Sequence, residues 1–358
     1  MPRFSAAELE RFSTALFESA GVPTSEAQIV SGHLVEANLG GHDSHGVLRI
    51  PQYVDAVRSG RVQLGVRPKI LSEADATLTL DGQLGFGQVA AREAMDLAIG
   101  KARRSGISAV TLRNSYHSGR IASYTCQAAD AGMIGLVMVN AGGGGQSVAP
   151  HGGLERRLAT NPISIAAPAN EDYPVFLDIA TSVAPEGKVR DYFQRGQAVP
   201  MGWIADDKGR PTTDPGKFYG APGGALLPLG GAAGYKGFGL AFMIDLIAGG
   251  LSGAGTCRSS APEPRDGLFL MAIDIDRFLP RPLFYDQVAQ LIAHVKSCPP
   301  APGFTEVFVP GEVERREEAR RRREGIEIDD KTWDLILKTG EAVGVTAPVS
   351  AELAAGFG

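Results

Sequence analysis

The sequence predicts an α/β protein: a sheet domain in the middle of the chain and a smaller helical unit built from both chain ends. Three observations predict this. Short apolar or alternating runs ("TLTLDG", "ISAVTLRN", "IGLVMVN", "ISIAAP", "VFLDIA" and "LFLMAIDI") lie between residues 77 and 275 and read as strands. Helical periodicity is interleaved with them in "QVAAREAMDLAIGKARRSG" and "FGLAFMIDLIAGGLSG". Before residue 68 and after residue 280 helical patterns dominate. The expected divisions are an N-terminal helical segment (1–67), an α/β domain (68–280), and C-terminal helices (281–358) that pack with the N-terminal segment. A chain of 358 residues leaves room for two domains, at roughly 100–200 residues each.

The first helix opens at Ser5-Ala-Ala-Glu8, a capping box with Ser5 as N-cap and Glu8 reaching back. Leu9, Phe12, Ala15, Leu16 and Ala20 follow at helical spacing. Gly21 and Pro23 end it, and Ser25 with Gln28 open a second helix with an apolar face of Ile29, Leu34, Val35 and Ala37. That helix stops at Gly40-Gly41. A third runs to Ser59-Gly60, with Pro51 near its first turn, where a missing N–H costs little. Near the other end, "FYDQVAQLIAHVKS", "VERREEARRRREG" and "DKTWDLILKTGEAVG" read as helices. The 46 glycines imply many tight turns or close backbone approaches.

A net charge of −5 gives no basic field for nucleic acid. The one basic cluster, Arg315 to Glu324, mixes signs and reads as a solvated helix face. Cys126, Cys257 and Cys298 are odd in number and form no CxxC pair. They argue against a disulfide framework and for a reducing, cytoplasmic setting. The N-terminus lacks the apolar core of a signal peptide, and no window of eighteen apolar residues free of charge suggests a membrane span.

Two glycine-rich stretches are candidates for phosphate binding. Gly85-x-Gly87-x-x-Ala90 stands between a strand and a helix, as a dinucleotide fingerprint would. Yet the next strand ends in Asn114 rather than an acidic residue, so a plain turn and helix start is the alternative. "NAGGGGQSVAPHGG" lacks the Lys-Ser/Thr of a P-loop and says only that backbone approaches something closely or that the loop moves.

Polar clusters carry more. In "GGHDSHGVLRIPQY", His42 and His45 form an HxxH pair that needs a third ligand to hold a metal, with His117 and His151 as candidates. The same stretch supports acid–base chemistry: His45 moves the proton, Ser44 orients it or binds a substrate oxygen, and Arg49 clamps a carboxylate. Arg49 and Tyr53 lie four and eight residues beyond His45, on one face if the stretch is helical, with a bend at Ile50-Pro51 as the alternative. The plainest alternative makes Ser44 an N-cap and Arg49 a surface charge. A second cluster, "RNSYHSGRIASY", puts His117 just past a buried strand, where ligands gather in open α/β sheets, or is a turn capped by Ser115 or Ser118. Thr160, Asn161 and Pro162 precede a strand, and Asp178, Thr181, Ser182 and Lys188 follow a buried run. Four such clusters favour a site over four independent loops.

With "VAPHGG", "ATNPISIAAP", "LDIATSVAPEGKV", "GWIADDKGRPTTDP", "GYKGFGLAFMIDLIAGGLSGAG" and "VFVPGEVERR", these stretches span almost the whole chain. Together they resemble the malate/L-lactate dehydrogenase family of the second type, which includes sulfolactate, ureidoglycolate and diketogulonate enzymes and reductases of cyclic imine carboxylates. The resemblance implies a non-Rossmann fold that binds NAD(H) or NADP(H), a homodimer, and an active site between the sheet domain and the helical unit. It implies a catalytic Ser44–His45 pair, with Arg49 and Tyr53 on the substrate side. His117, Ser118 and Gly119 match a segment beside the nicotinamide, and in some members this histidine is the acid–base. Asn140, Thr160, Asn161, Asp178, Ile179, Ala180, Thr181, Gly311 and Glu312 match cofactor-side positions. Lys188, grouped with them, stands where the imine-reductase branch resembles an acidic residue, which suits the hydroxy-acid branch. Ala159 replaces a glycine common in "GTNP", and Gly142 to Gly145 replace bulkier polar residues, enlarging the pocket or loosening the loop. The expected reaction interconverts a 2-oxo acid and a 2-hydroxy acid, with cyclic imine reduction as the alternative. The expected partner is a small carboxylate, with no metal, nucleic acid or membrane.

Overall fold

A computed structural model of the chain describes residues 1–170, 172–260 and 265–345. The chain opens with a two-residue strand, β1 (Arg3–Phe4), and three helices, α1 (Ala6–Ser19), α2 (Thr24–Leu39) and α3 (Ile50–Arg58). Then follow β2 (Lys69–Glu73), β3 (Thr77–Asp81), α4 (Gly87–Ser105), β4 (Ile107–Ser115), α5 (Ala122–Asp130), β5 (Met133–Asn140), β6 (Ile163–Ala167) and β7 (Val175–Ile179). The next stretch holds α6 (Glu186–Gln194), β8 (Ile204–Ala205), β9 (Pro211–Thr212), α7 (Pro215–Tyr219) and β10 (Ala225–Leu226). Helix α8 (Gly234–Ile244) runs into a π-helical segment, Asp245–Leu251, before β11 (Asp266–Asp274). Last come α9 (Arg281–Lys296), α10 (Glu312–Glu324), β12 (Ile326–Glu327) and α11 (Asp330–Val343).

The capping box at Ser5 forms as its sequence dictates: Ser5 accepts from the Glu8 N–H, and the Glu8 carboxylate accepts from the Ser5 N–H at 2.8 Å. The start of α2 differs from expectation. Its N-cap is Pro23, with no side-chain cap, and Ser25 falls inside the first turn. The Pro23 carbonyl already accepts the Glu26 and Ala27 N–H groups at 2.9 Å, so backbone closes the turn.

Seven strands form one sheet in the order β2-β3-β4-β11-β5-β6-β7. Helices α4 and α5 connect β3, β4 and β5 in one direction, the arrangement the interleaved pattern suggested. The late strand β11 then wedges between β4 and β5, antiparallel to both, and β6 and β7 add antiparallel. Among the described residues, β3 and β4 are therefore the one pair of this sheet hydrogen-bonded in parallel. Leu112, Val137, Leu268 and Leu270 pack with Ala91, Ala94 and Met95 of α4 in the core beside it.

A second apolar cluster joins both chain ends: Leu16 and Phe17 of α1, Leu34 of α2, Tyr53 of α3 and Phe86 pack with Ile326, Ile328 and Ile336. Helix α9 contributes no buried residue. Among the described residues no helix is long and apolar enough to cross a membrane.

Several glycines of the two glycine-rich stretches lie hard against other parts of the chain. A Cβ on Gly87 would lie 2.2 Å from the Tyr116 carbonyl oxygen and 2.6 Å from that of His117, and one on Gly85 would lie 2.8 Å from Val66 Cγ2. A Cβ on Gly142 would meet the Arg265 carbonyl oxygen at 2.4 Å, and one on Gly143 that of Thr256 at 2.4 Å. Real Cβ atoms do not sit so close, so α4 packs under the Tyr116–His117 loop only because residue 87 has no side chain. Replacing it, Gly87→Ala, should cost about 3 kcal/mol and displace His117. Thermal melts and turnover should both fall; an unchanged melting temperature would show that the loop simply gives way.

Candidate active site

The sheet register collects the polar residues at one end. Asp266 opens β11 opposite Ser115, the last residue of β4, and Gly267 lies opposite Asn140, the last residue of β5. Ile163 at the start of β6 lies opposite Ile179 at the end of β7. His117, Ser118, Asn140, Thr160, Asn161 and Asp178 to Thr181 therefore all fall at this edge or just beyond it. This matches the general preference of ligands for strand ends in α/β sheets.

The turn after α2 supplies the other half, though not as one helical face. Asp43–His45 and Val47–Arg49 are separate 3-10 turns, broken by extended backbone at Gly46 (φ −87°, ψ −156°). The break falls at Gly46 and not at Ile50, which is helical despite preceding Pro51. Asn38 causes it. The Asn38 Oδ1 accepts from the Val47 N–H at 2.8 Å, its Nδ2 donates to Asp43 Oδ1 at 2.6 Å, and a Cβ on Gly46 would lie 2.3 Å from Oδ1. Arg321 of α10 adds bonds to both Asp43 oxygens, at 2.6 and 3.0 Å.

Ser44 caps no helix. Its Oγ lies 3.0 Å from His45 Nδ1. Arg49 Nε donates to the Ser44 carbonyl at 2.7 Å, and Nη1 donates to Gln52 at 2.8 Å. Among the described residues Nη2 has no partner, so the Nη1–Nη2 end of the guanidinium is the edge available to a carboxylate. The imidazoles of His45 and His117 stack, with centroids 5.6 Å apart and planes at 22°. His42 turns instead to Glu314 at 3.6 Å, and among the described residues no three metal-ligating side chains form a group.

Tyr53 sits differently from a substrate-facing residue. It is fully buried, and its hydroxyl lies 2.7 Å from His117 Nδ1 and 2.8 Å from Gln88 Nε2, which donates to it. Ser118 caps no helix either: its N–H and Oγ both donate to Asp266 Oδ2, at 2.7 and 2.6 Å. Gly119 has φ +73°, and a Cβ there would strike His33 Nε2, which accepts the Arg120 N–H at 2.9 Å.

Burial and cations set the charge states. Burial, then Arg49, pushes His45 down to about 3, and burial with Arg49 and His45 takes His117 well below its ordinary value. Both imidazoles are neutral at pH 7. Burial raises Asp266 to about 6 against the two Ser118 bonds, and raises the Tyr53 phenol.

The remaining predicted residues fall into three groups. Asn140 and Asn161 both donate through Nδ2 to Asp245 Oδ1, at 3.0 and 3.2 Å, and Thr181 Oγ1 donates to the carbonyls of Thr160 and Asn161. A cavity of about 670 Å³ borders this group, lined in part by Gln146, Asp245, Cys257 and Arg258. Asp178 accepts from the first N–H of α5, Ala122, at 2.8 Å; Ile179 and Ala180 beside it are half-buried. Gly311 packs on Phe176, while Glu312 is occupied by Lys296 at 2.7 Å and Arg316 at 2.9 Å. Lys188 is exposed on α6, whose Gly187 lies against Ser44.

Sequence reasoning missed Gln88, Asp266, Asp245, Asn38 and Arg120. Each is a buried polar residue that needs a partner, but burial is not visible in local periodicity, so little in the sequence marks them.

A family profile for malate/L-lactate dehydrogenases matches residues 4–337. The chain is 39% identical over 346 residues to a malate dehydrogenase of Pyrococcus abyssi, covering 94% of each. It is 38% identical to hydroxycarboxylate dehydrogenase B of Escherichia coli O157:H7, covering 96% of this chain and 95% of the other. The solved malate dehydrogenase of Pyrococcus horikoshii superposes with a TM-score of 0.86 at 37% identity, over 97% of both chains. The chain therefore belongs to the malate/L-lactate dehydrogenase family and is an oxidoreductase of the 2-hydroxyacid dehydrogenase type.

Proposed function

We propose that the protein interconverts a small 2-oxo acid and its 2-hydroxy acid with NAD(H) or NADP(H). The observation that carries this is the grouping of two neutral, stacked histidines with a half-open arginine. Such a set holds a carboxylate and moves a proton at the neighbouring carbon. The reaction also moves two electrons, which no side chain of the group carries; a bound nicotinamide supplies or accepts them as hydride.

The donor set fits such a cofactor. Asn161 Oδ1 and Arg120 Nε are buried and have no partner among the described residues. A carboxamide N–H suits the first, and a phosphate or ribose oxygen suits the second. His117, Ser118, Gly119, Asn140, Thr160, Asn161, Asp178 to Thr181, Lys188, Gly311 and Glu312 would frame it, with Asn140 and Glu312 acting through the partners they already hold.

Arg49 fixes the substrate carboxylate. His45, or alternatively His117, gives the proton to the developing alkoxide and takes it back in the reverse direction, while Ser44 orients His45 and hydrogen-bonds the same oxygen. Neutral His45 is poised as a base for the hydroxy acid, and the charge of a bound carboxylate makes its protonation easier for the oxo acid. Tyr53 supports His117 from behind. In this reading residues 68–280 carry the cofactor and the chain ends supply the catalytic turn. The protein works in the cytoplasm as a homodimer, for which Phe242, Met243, Leu246 and Leu251, exposed along α8 and its π-helical extension, offer an apolar face.

A screen of 2-oxo acids and cyclic imine carboxylates, following NADH and NADPH absorbance in parallel, tests the function. Oxidation with oxo acids alone supports it; turnover of imines alone would overturn it. His45→Ala should lower turnover by roughly 10²–10⁴-fold while cofactor binding persists. Near-normal turnover would move the proton role to His117. Arg49→Ala should raise KM for the acid by roughly 10- to 100-fold, and an unchanged KM would remove the clamp.

A further inference from the structure

Gln88 is fully buried in the first turn of α4, where an apolar side chain would pack without losing hydration. Its Oε1 has no partner among the described residues, so the amide bears the cost of an unpaired acceptor. The bond it does make, from Nε2 to the Tyr53 hydroxyl at 2.8 Å, is therefore the contact this position serves.

That bond decides where a proton lies. The Tyr53 ring is held between Phe86 and Tyr116, with centroids at 6.1 and 5.7 Å, so the hydroxyl cannot swing away. Its oxygen receives the Gln88 N–H, and its single proton is left to point at His117 Nδ1, 2.7 Å away. A neutral imidazole has one N–H. With Nδ1 accepting, that N–H is on Nε2. We propose that Gln88 is a positioning residue: acting through Tyr53, it holds His117 in the Nε2–H tautomer.

The consequence rests on the dehydrogenase reading. A neutral imidazole fixed as Nε2–H is a donor, able to polarise a 2-oxo group and to hydrogen-bond the alkoxide as it forms. The other tautomer would present a lone pair to the same oxygen. The tautomer itself does not depend on that reading.

The test uses the full chain with 15N-labelled histidine, the His117 ring signals being assigned with His117→Gln. In the wild type, Nε2 should give the protonated-type signal and Nδ1 the unprotonated-type signal. Gln88→Glu keeps the shape but can only accept when ionised. It should draw the phenol proton to itself, so that His117 becomes Nδ1–H and the two signals exchange. Gln88→Met keeps the length without the donor and should give a mixture. Thermal melts identify folded variants, and Gln88→Met decides alone if the glutamate variant does not fold. With an oxo acid the folded variants should lose kcat by roughly 10-fold or more with KM little changed. Ring signals identical to wild type in Gln88→Met, or an Nδ1–H wild type, would overturn the proposal. Failure of the dehydrogenase reading would show separately, as an inactive wild type whose nitrogen signals remain readable.

Discussion

The site depends on one buried amide. Asn38, at the end of α2, uses its oxygen on the Val47 N–H and its nitrogen on Asp43, and so ties both sides of a tight turn to one side chain. Gly46 must approach that amide so closely that no other residue fits. With the turn pinned there, Ser44 and His45 stand on one 3-10 turn and Arg49 on the next, close enough for Arg49 to bond back to the Ser44 carbonyl. A continuous helix would have spread the same residues along its length.

The second constraint is electrostatic. Two protonated imidazoles 5.6 Å apart would repel by about 3 kcal/mol at an effective dielectric near 20, before Arg49 is counted. Burial adds to the penalty, so the two rings stay neutral beside the Arg49 guanidinium. In the proposed reading, charge enters with the substrate: a carboxylate held by Arg49 would also make imidazole protonation less costly, coupling acid binding to proton transfer.

Much of this was legible in residue order. The Ser5 capping box, the long helices and the main strands follow from local patterns, and the structure gathers several of the polar clusters at one end of the sheet. Local patterns do not encode which strands become neighbours, so the place of β11 between β4 and β5 could not be read. The two-residue strands β8, β9 and β10 are too short to show alternation. The bend at Gly46 depends on a contact with Asn38, eight positions earlier, that no periodicity reveals. Tyr53 was expected on the substrate side and the structure buries it behind His117: helical spacing tells a residue's face and not what covers it. Its partner Gln88 is a first-turn residue of α4, and nothing in the local pattern marks it as buried.

The position of β11 has a further consequence, for the order of assembly. The middle strand of the sheet is supplied by residues 266–274, far along the chain from the strands it joins. Its closure requires contacts across about 150 residues, such as Asp266 with Ser115 and Ser118. Contacts of such separation form slowly, because the intervening chain must be ordered first. On the ribosome, β4 and β5 emerge well before the strand that must lie between them, and their facing edges stay unpaired until it arrives. Asp266, the carboxylate that anchors the loop beside His117, arrives with it. The chain therefore gains the anchor of the His117 loop and the middle of its sheet in one step, and a nascent chain that lacks β11 has neither.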